Sequence, residues 1–429
     1  MTSSSQNSST TKAPFEGSEY MVLWVLWLTY GSFYFCRTNI SAAIPGIEAE
    51  FEFSKAQIGL MLGGLKLAYG IGQLVNGQLA ERISARKLLT IGMLSSALLN
   101  VVFGLGTALY FLIFIWACNG YFQALGWTPC MRVAANWFPA EKRGRAVGII
   151  GTGYQATAAV TFVLAGFSVQ WFGWRGAFHV PAILFGLCCV HMLFFMKESP
   201  SQAGDPGSRK AAAPPPVATG SVGRNIVLTL TNPWLWFLAV SLGMLNACRY
   251  GFLDWGLAHL IETQGGAIGK SALKYAVLPL GGIAGALLSG WATDRWFRGR
   301  AAPAIVLLLL ALGVLTLVYS KVVTAGTSAV LPVILLLLIG FCIYGPQVLL
   351  VGTAPMDLAR GGAAAAAVGF VNFVGYMGAF SGDYVTGHVV DAHGWEAGLK
   401  FWAGCAFGAA VISAFLWNRR DGGRKSKEP

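Results

Sequence analysis

Twelve apolar stretches, each long enough to cross a lipid bilayer, follow one another along this chain with little polar sequence between them. A hydrocarbon core about 30 Å thick needs about 20 apolar residues in a helix. Spans are expected near 20–47, 56–79, 88–106, 109–137, 145–171, 176–196, 233–261, 271–293, 302–320, 328–356, 361–390 and 396–417. Inside lipid the backbone must satisfy its own hydrogen bonds, so these stretches have to be helices. Charged residues are 11% of the 429 and hydrophobic residues 55%, which leaves too little polar surface for a water-soluble globule. The same apolar content excludes a disordered chain. No polar domain carries the net charge of +12, so nucleic acid is not an expected partner; the lipid bilayer is. The fold class implied is an all-α polytopic membrane protein.

The longest polar break runs from Glu198 to Asn225 and contains Pro214-Pro215-Pro216 among Ala, Gly and Ser. Such a composition makes a flexible linker. The expected organisation is a disordered cytoplasmic N-terminus (1–18), a six-helix bundle (19–197), a flexible cytoplasmic linker (198–229), a second six-helix bundle (230–418) and a basic cytoplasmic tail (419–429). Orientation follows from lysine and arginine, which stay on the cytoplasmic side. With both termini inside, Arg82, Arg86, Lys87, Lys142, Arg143, Arg145, Arg295, Arg298, Arg300 and the tail are inside. The outer loops receive only Lys55, Arg175, Lys270, Lys321 and Lys400. The expected location is a bacterial inner (plasma) membrane, and the expected state a monomer. The eight cysteines have no metal-ligand spacing and lie in apolar runs, as small buried hydrophobes do.

The two halves repeat. Gly77-Gln78-Leu79-Ala80-Glu81-Arg82, with Arg86-Lys87 after it, follows span 2; Gly290-Trp291-Ala292-Thr293-Asp294-Arg295, with Arg298 and Arg300, follows span 8. Cys36-Arg37 in span 1 recurs as Cys248-Arg249 in span 7, and Arg143-Gly144 recurs as Arg360-Gly361. Near-equal offsets at three landmarks argue for duplication, with two similar bundles facing each other across an axis along the membrane normal and a site between them.

Ionisable residues inside a span are costly and need a reason. Arg37 precedes Glu48 by 11 residues, about 17 Å along a helix, which is near the middle of the bilayer. Arg249 lies at the equivalent depth in span 7. Two guanidiniums meeting across the central axis would repel unless an anion sits between them, and each offers a fork suited to phosphate or carboxylate. The competing reading pairs each with a local acid, Asp254 being the obvious one for Arg249. Lys66, mid-span in helix 2 with no acid near it in sequence, either adds charge to the anion site or snorkels. Arg132 reads as structural. Asp383 in span 11 pairs with a cavity cation, carries a proton, or caps a kink beside Gly382. Cys36 and Cys248 adjoin the arginines, so a small thiol reagent is expected to block transport if they border the cavity. Gly265-Gly266-Ala267-Ile268-Gly269-Lys270-Ser271 approximates a phosphate loop, but Gln264 stands where its first glycine belongs and no strand precedes it. No nucleophile, base and orienter occur together, so enzymatic activity is not expected, nor is any cofactor.

The Gly-x-x-Ala/Thr-Glu/Asp-Arg motif after spans 2 and 8 resembles the signature of the major facilitator superfamily over essentially the whole chain. That resemblance implies two pseudo-symmetric six-helix bundles. It also makes Gly77, Glu81, Arg82, Arg86, Asp294 and Arg295 a gating motif that latches one conformation of an alternating-access transporter. Within the superfamily the chain is similar to the organophosphate:phosphate antiporters, which include glycerol-3-phosphate, hexose-phosphate and phosphoglycerate transporters and a phosphosugar sensor. The matching stretches are Tyr34-Phe35-Cys36-Arg37-Thr38-Asn39, Gly126-Trp127-Thr128-Pro129-Cys130-Met131-Arg132, Asn136-Trp137-Phe138, Arg249-Tyr250-Gly251-Phe252-Leu253-Asp254-Trp255 and Tyr344-Gly345-Pro346, with Gly369-Phe370 onward to Gly375-Tyr376. The resemblance implies that Arg37 and Arg249 bind the phosphoryl group and that inorganic phosphate leaves as the organic phosphate enters. The chain departs from the glycerol-3-phosphate transporter pattern at Thr38, Gln73, Tyr154 and Pro279, where that pattern has lysine, lysine, histidine and glutamate. Thr386 stands where the hexose-phosphate pattern has a lysine near its helix 11 acid. Lys66, two turns from Gln73, is expected to replace part of the missing charge.

The expected substrate site is therefore Arg37 and Arg249 with Lys66 for the phosphoryl group. Tyr34, Gln73, Gln123, Tyr154, Gln155, Asn372 and Tyr376 would hydrogen-bond the organic part, with Asp383 as a coupling or specificity residue. The expected function is exchange of an organic phosphate for inorganic phosphate. Two alternatives share the fold: a membrane phosphosugar receptor, and a proton-coupled carrier of carboxylates or other organic anions.

Overall fold

The computed structural model of the protein describes residues 15–203, 222–324, 326, 328, 330–359 and 363–417. These residues form helices joined by short turns, with no strand among them. Among the described residues, ten helices are each long and apolar enough to cross a membrane. An eleventh span, Pro233–Gln264, meets that test together with the short helix before it, across a bend of 75°. The remaining span is the first, built from Gly17–Ser32 and Ile40–Phe51 around a 3-10 turn at Phe33–Cys36. The twelve expected spans are thus present, in an all-α fold.

Local chemistry sets the helix starts. Ser54 accepts from the Gln57 backbone N–H while Gln57 reaches back to the Ser54 N–H, a capping box that opens span 2, Lys55–Arg82. Ser84 caps span 3, Ala85–Leu105, and Asn232 with Pro233 opens span 7. Glu16 and Glu19 form another capping box, so the first helix begins at Gly17, inside the stretch 1–18 expected to be disordered. The expected linker also carries order at its end: Val222–Leu230 is helical. Residues 1–14, 204–221 and the tail 419–429 lie outside the described residues.

Two irregular turns adjoin the midplane arginines. Arg37 ends the 3-10 turn of span 1, and Arg249 precedes a π-helical turn at Gly251–Trp255 in span 7. A third, π-helical at Leu349–Thr353, interrupts span 10 after Val330–Val348. Each break frees backbone groups that must find partners, and in membranes that is tolerated where the backbone is buried in protein or borders a cavity.

Spans 1–6 form one half and spans 7–12 the other. The halves meet where span 2 packs on span 11, Ala364–His393, and where span 5, Ala140–Phe172, packs on span 8, Ile268–Tyr275 and Val277–Trp296. Contact is uneven along these helices. On the face opposite the central linker they touch backbone to backbone: a Cβ at Gly387 would collide with the Lys55 carbonyl, and one at Gly166 with the Ala272 side chain. Only glycine permits that approach. Polar contacts bridge the halves on the same face. Lys55 Nζ lies 2.9 Å from Glu48 Oε1 and 2.8 Å from Glu262 Oε1, and the Asp391 carboxylate accepts from the Lys55 and Ala56 backbone N–H groups at 2.9 and 2.8 Å. Partly exposed ion pairs contribute only about 0–1 kcal/mol each. The close glycine packing therefore supplies most of the closure and the ion pairs fix its register.

Toward the linker face the halves part. A Cβ at Gly148, Gly151, Gly290 or Gly352 would meet nothing within 4 Å. Large apolar side chains stay exposed on the outer helices, among them Leu94, Leu98 and Leu105 of span 3, Ile183, Leu187 and Phe194 of span 6, and Leu307, Leu310 and Val314 of span 9. An apolar belt of that extent suits lipid.

Candidate anion-binding site

Arg37 stands at the break in span 1, and the break explains how it is held. The Cys36 carbonyl, freed by the turn, accepts from Asn119 Nδ2 at 2.9 Å. Asn39 Nδ2 bonds Asn100 Oδ1 and the Ala177 carbonyl, both at 2.9 Å. Within this buried amide network Gln123 Oε1 accepts from Arg37 Nε at 3.1 Å. The guanidinium lies over the rings of Tyr34 and Tyr69, 4.8 and 4.5 Å from their centroids. Tyrosine faces favour a cation without neutralising it.

Arg249 is placed by the last turn of the helix Pro233–Tyr250. It is 2% exposed, lies over the rings of Tyr250 and Tyr344 at 4.7 and 5.1 Å, and its buried Nε has no protein partner. Asp254, the local acid of the competing reading, does not pair with it. Five residues on, across a π-helical turn, Asp254 points instead to Lys66. Lys66 is ion-paired to Asp254 and, at 2.9 Å, to Asp383 Oδ2, and all three are buried. This differs from the expectation that Lys66 adds charge to the anion site. Its ammonium is taken up by two carboxylates of the other half, so it does not replace a missing site charge in this arrangement. Asp383 meets a cation, as in the first of its three readings, but that cation is Lys66, which is not on the cavity wall described below.

A cavity of about 350 Å³ lies between the halves, with Arg249 on its wall; Arg37 is not on it, but packs behind two of its residues, Tyr34 and Tyr69. Its wall includes Tyr34, Gln73, Tyr154, Gln155, Arg249, Asn372 and Tyr376, all named from sequence. Gln123 is not on it; this residue orients Arg37 rather than facing a ligand. Sequence reasoning missed Tyr30, Tyr69, Trp127, Asn246 and Gln347, which also line the cavity. It also missed Tyr250 and Tyr344, which flank Arg249. A usable signal existed. Tyrosine favours the membrane interface, so a mid-span tyrosine one turn from a mid-span cation is unusual. Tyr69 shares a helix face with Lys66 and Gln73, and Asn246 shares one with Arg249. The rings join the halves: Tyr34 stacks on Tyr154 at 5.0 Å, Tyr154 approaches Tyr344 at 6.1 Å, and Tyr69 approaches Tyr376 at 4.6 Å.

The gating-motif residues are dispersed toward the linker face. Arg82, Asp294 and Arg295 are exposed, and the Arg86 side chain donates to the Leu193 carbonyl within its own half. Glu198 caps the start of span 3 through the Ala85 and Arg86 N–H groups. Arg132 donates to the Ala80 and Ile83 carbonyls, a C-terminal cap on span 2 that agrees with a structural role. The surroundings of Gly77 and the side chain of Glu81, and Arg360-Gly361 of the third repeat landmark, lie outside what the structure describes.

Residues 26–383 match the family model of the Major Facilitator Superfamily. The chain belongs to that superfamily. It is 31% identical to a probable hexose phosphate transport protein of Chlamydia pneumoniae, over 95% of this chain and 92% of the relative. It is 30% identical to the glycerol-3-phosphate transporter of Bacillus subtilis, over 92% and 91%. It is 28% identical to the membrane sensor protein UhpC of Escherichia coli, over 87% of each. The resemblance to the organophosphate branch read from the motifs agrees with these relatives. Among solved structures, an inward-facing bacterial homolog of the human lysosomal transporter Spinster shares the fold, with a TM-score of 0.71 at 16% identity over 94% of this chain and 96% of the other. The protein is a multi-pass integral membrane transporter of this superfamily and not an enzyme.

The cysteine expectation changes. Cys36 and Cys248 are fully buried, and neither lines the cavity. A small polar thiol reagent is expected to leave transport in reconstituted vesicles unaltered. Block that substrate prevents, and that disappears on replacing Cys36 or Cys248 by serine, would show that these thiols do reach the permeation path.

Proposed function

We propose that the protein exchanges an organic phosphate for inorganic phosphate across a bacterial inner membrane by alternating access. One observation carries this reading. Two buried arginines, one from each half and each backed by tyrosine rings, make no ion pair with a described carboxylate; Arg249 is on the wall of the cavity between the halves, and Arg37 lies behind that wall, against its Tyr34 and Tyr69. The fork of each guanidinium matches phosphoryl oxygens. The names of two relatives, a probable hexose phosphate transport protein and a glycerol-3-phosphate transporter, support the same substrate class.

The mechanism follows from the charges. Without an anion the two cations oppose the approach of the halves. A phosphoryl group held by both removes that repulsion and draws them together on the linker face. The bundles then rock about the site, and the contacts around Lys55, Gly387 and Gly166 open on the other face. The exposed motif charges Arg82, Asp294 and Arg295 would latch the linker face once it closes. Because the unloaded carrier keeps its repulsion, exchange is favoured over one-way release. With the linker inside, the present arrangement faces the cytoplasm.

Counterflow decides the matter. Vesicles holding the protein and labelled phosphate are expected to release label when phosphate or a phosphate ester is added outside, and not when simple carboxylates are added. Release driven by carboxylates but not by phosphate would overturn the reading. A second reading, a phosphosugar receptor, is favoured by the likeness to the membrane sensor. It predicts saturable ester binding to the purified protein with no counterflow.

A further inference from the structure

We propose that Asp254 and Asp383 form a proton-binding site that fills as the halves part on the face opposite the linker, a proton taking the place of the Lys66 ammonium. The inference rests on the alternating-access part of the reading above and adds an ion to it.

The cluster lies between the cavity and the closed face. Along span 2, Gln73 and Tyr69 are on the cavity wall, Lys66 comes next, and Lys55 sits at the closed end. Along span 11 the matching order is Asn372 and Tyr376, then Asp383, then Gly387 and Asp391. Between those limits the two helices leave no space. A Cβ at Gly59 would lie 2.5 Å from the Asp383 carbonyl oxygen, and one at Gly63 3.0 Å from that of Phe380. A path from that face to the cavity therefore has to draw span 2 away from span 11 at this level, and Lys66 goes with span 2.

The two acids stay behind together. They belong to one half and reach the same nitrogen, so their carboxylates are close neighbours. Spans 7 and 11 are tightly packed beside them: a Cβ at Gly382 would lie 2.6 Å from the Ala247 Cα. That packing is internal to the half, and rigid-body rocking preserves it. Without Lys66 two like charges adjoin, and such a pair holds one proton between its members. The balance is one for one. An ammonium leaves and a proton arrives on a carboxylate oxygen, so two negative charges meet one positive charge in both arrangements.

The surrounding groups leave this exchange to the cluster. Arg249 of span 7 and Arg37 of span 1 act on Asp254 from a distance, and neither makes an ion pair with a described carboxylate. Arg249 stays with the acids, whereas Arg37 leaves with Lys66. The Tyr250 ring lies 5.0 Å from Lys66 Nζ, and Tyr275 of span 8 donates its hydroxyl to the Phe252 carbonyl. His259, further along span 7, is turned toward Tyr319 and Trp395. The arrangement open on that face thus binds one proton more than the closed one. Acid favours it, by at most about tenfold per pH unit.

The test uses full-length protein in lipid nanodiscs without substrate. Spin labels on Glu52→Cys and His393→Cys, both exposed, span the halves at the closed face. Cys118 and Cys188, the two cysteines that are not buried, are replaced by serine. As pH falls from about 8 to about 5, the ratio of long to short distances is expected to rise at least about tenfold. In Asp383→Asn and in Asp254→Asn it is expected to change less than about twofold, because a lone carboxylate opened to water titrates below that range. Glu48, Glu262, Asp391 and the remaining histidines are intact in every form, so their titration cannot produce the difference. A wild-type ratio that does not respond to pH, or an equal response in either variant, overturns the inference. Should neither variant fold, the triple variant Lys66→Met, Asp254→Asn, Asp383→Asn takes their place with the same expectation. Substrate is absent throughout, so these outcomes leave phosphate exchange untouched; absence of counterflow counts against the exchange reading alone.

Discussion

Lysine in place of Arg37 or Arg249 is expected to lower phosphate counterflow about 100-fold. The substitution keeps the charge, so a purely electrostatic role would survive it. What goes is the fork. A guanidinium presents two parallel N–H groups to two phosphoryl oxygens, and an ammonium acts as a single point. Each charge-assisted bond is worth about 1.5–3 kcal/mol, and about 1.4 kcal/mol is a factor of ten. Losing one bond and misplacing the other gives about two orders of magnitude. Arg37 has a further dependence, since its Nε is anchored by Gln123 and its plane lies on two tyrosines. A flexible lysine stem keeps neither. Initial rates of labelled-phosphate exchange, normalised to reconstituted protein, measure the effect. Rates within threefold of wild type for either variant would remove that arginine from the site.

Lys66→Met is expected to destabilise the protein by about 3–5 kcal/mol, the usual effect of leaving a buried charge without its partner. Here two carboxylates, Asp254 and Asp383, would be left together in a site whose members are all nearly inaccessible. The thermal unfolding midpoint in detergent should fall by roughly 5 °C or more. The triple variant with Asp254→Asn and Asp383→Asn should regain most of the loss, because the charges then disappear together. The cluster joins span 2 to spans 7 and 11, so its rupture should also loosen the closed face. A single variant as stable as the wild type, or a triple variant no better than the single, would show that the cluster does not hold the halves.

Much of this was legible in the chain itself. The spans could be placed to within a few residues because hydropathy over some 20 positions is a local property. Arg37 and Arg249 stood out because an ion at mid-bilayer depth needs a reason, and their shared offset with Cys36 and Cys248 pointed to equivalent places in two halves. Tyr34, Gln73, Tyr154, Gln155, Asn372 and Tyr376 followed as polar or amphipathic residues in the spans that turned out to surround the cavity. Gln123 was read by the same logic and proved to be a support for Arg37, because the break at Cys36 creates a demand for amides that sequence does not announce.

Sequence alone determined the membrane fold, the division into two halves and the two arginines, since each rests on residue type and spacing along one chain. Tertiary structure decided the partners. Lys66 and Asp254 are 188 residues apart, and nothing near either names the other. The acid five residues beyond Arg249 turned to a different cation because a π-helical turn changed its direction. Asn246 acquired a fixed orientation only from a carbonyl 129 residues away. Which charge neutralises which, and which polar residues line the cavity, depends on how helices cross, and that is set by the packing of the two halves against each other.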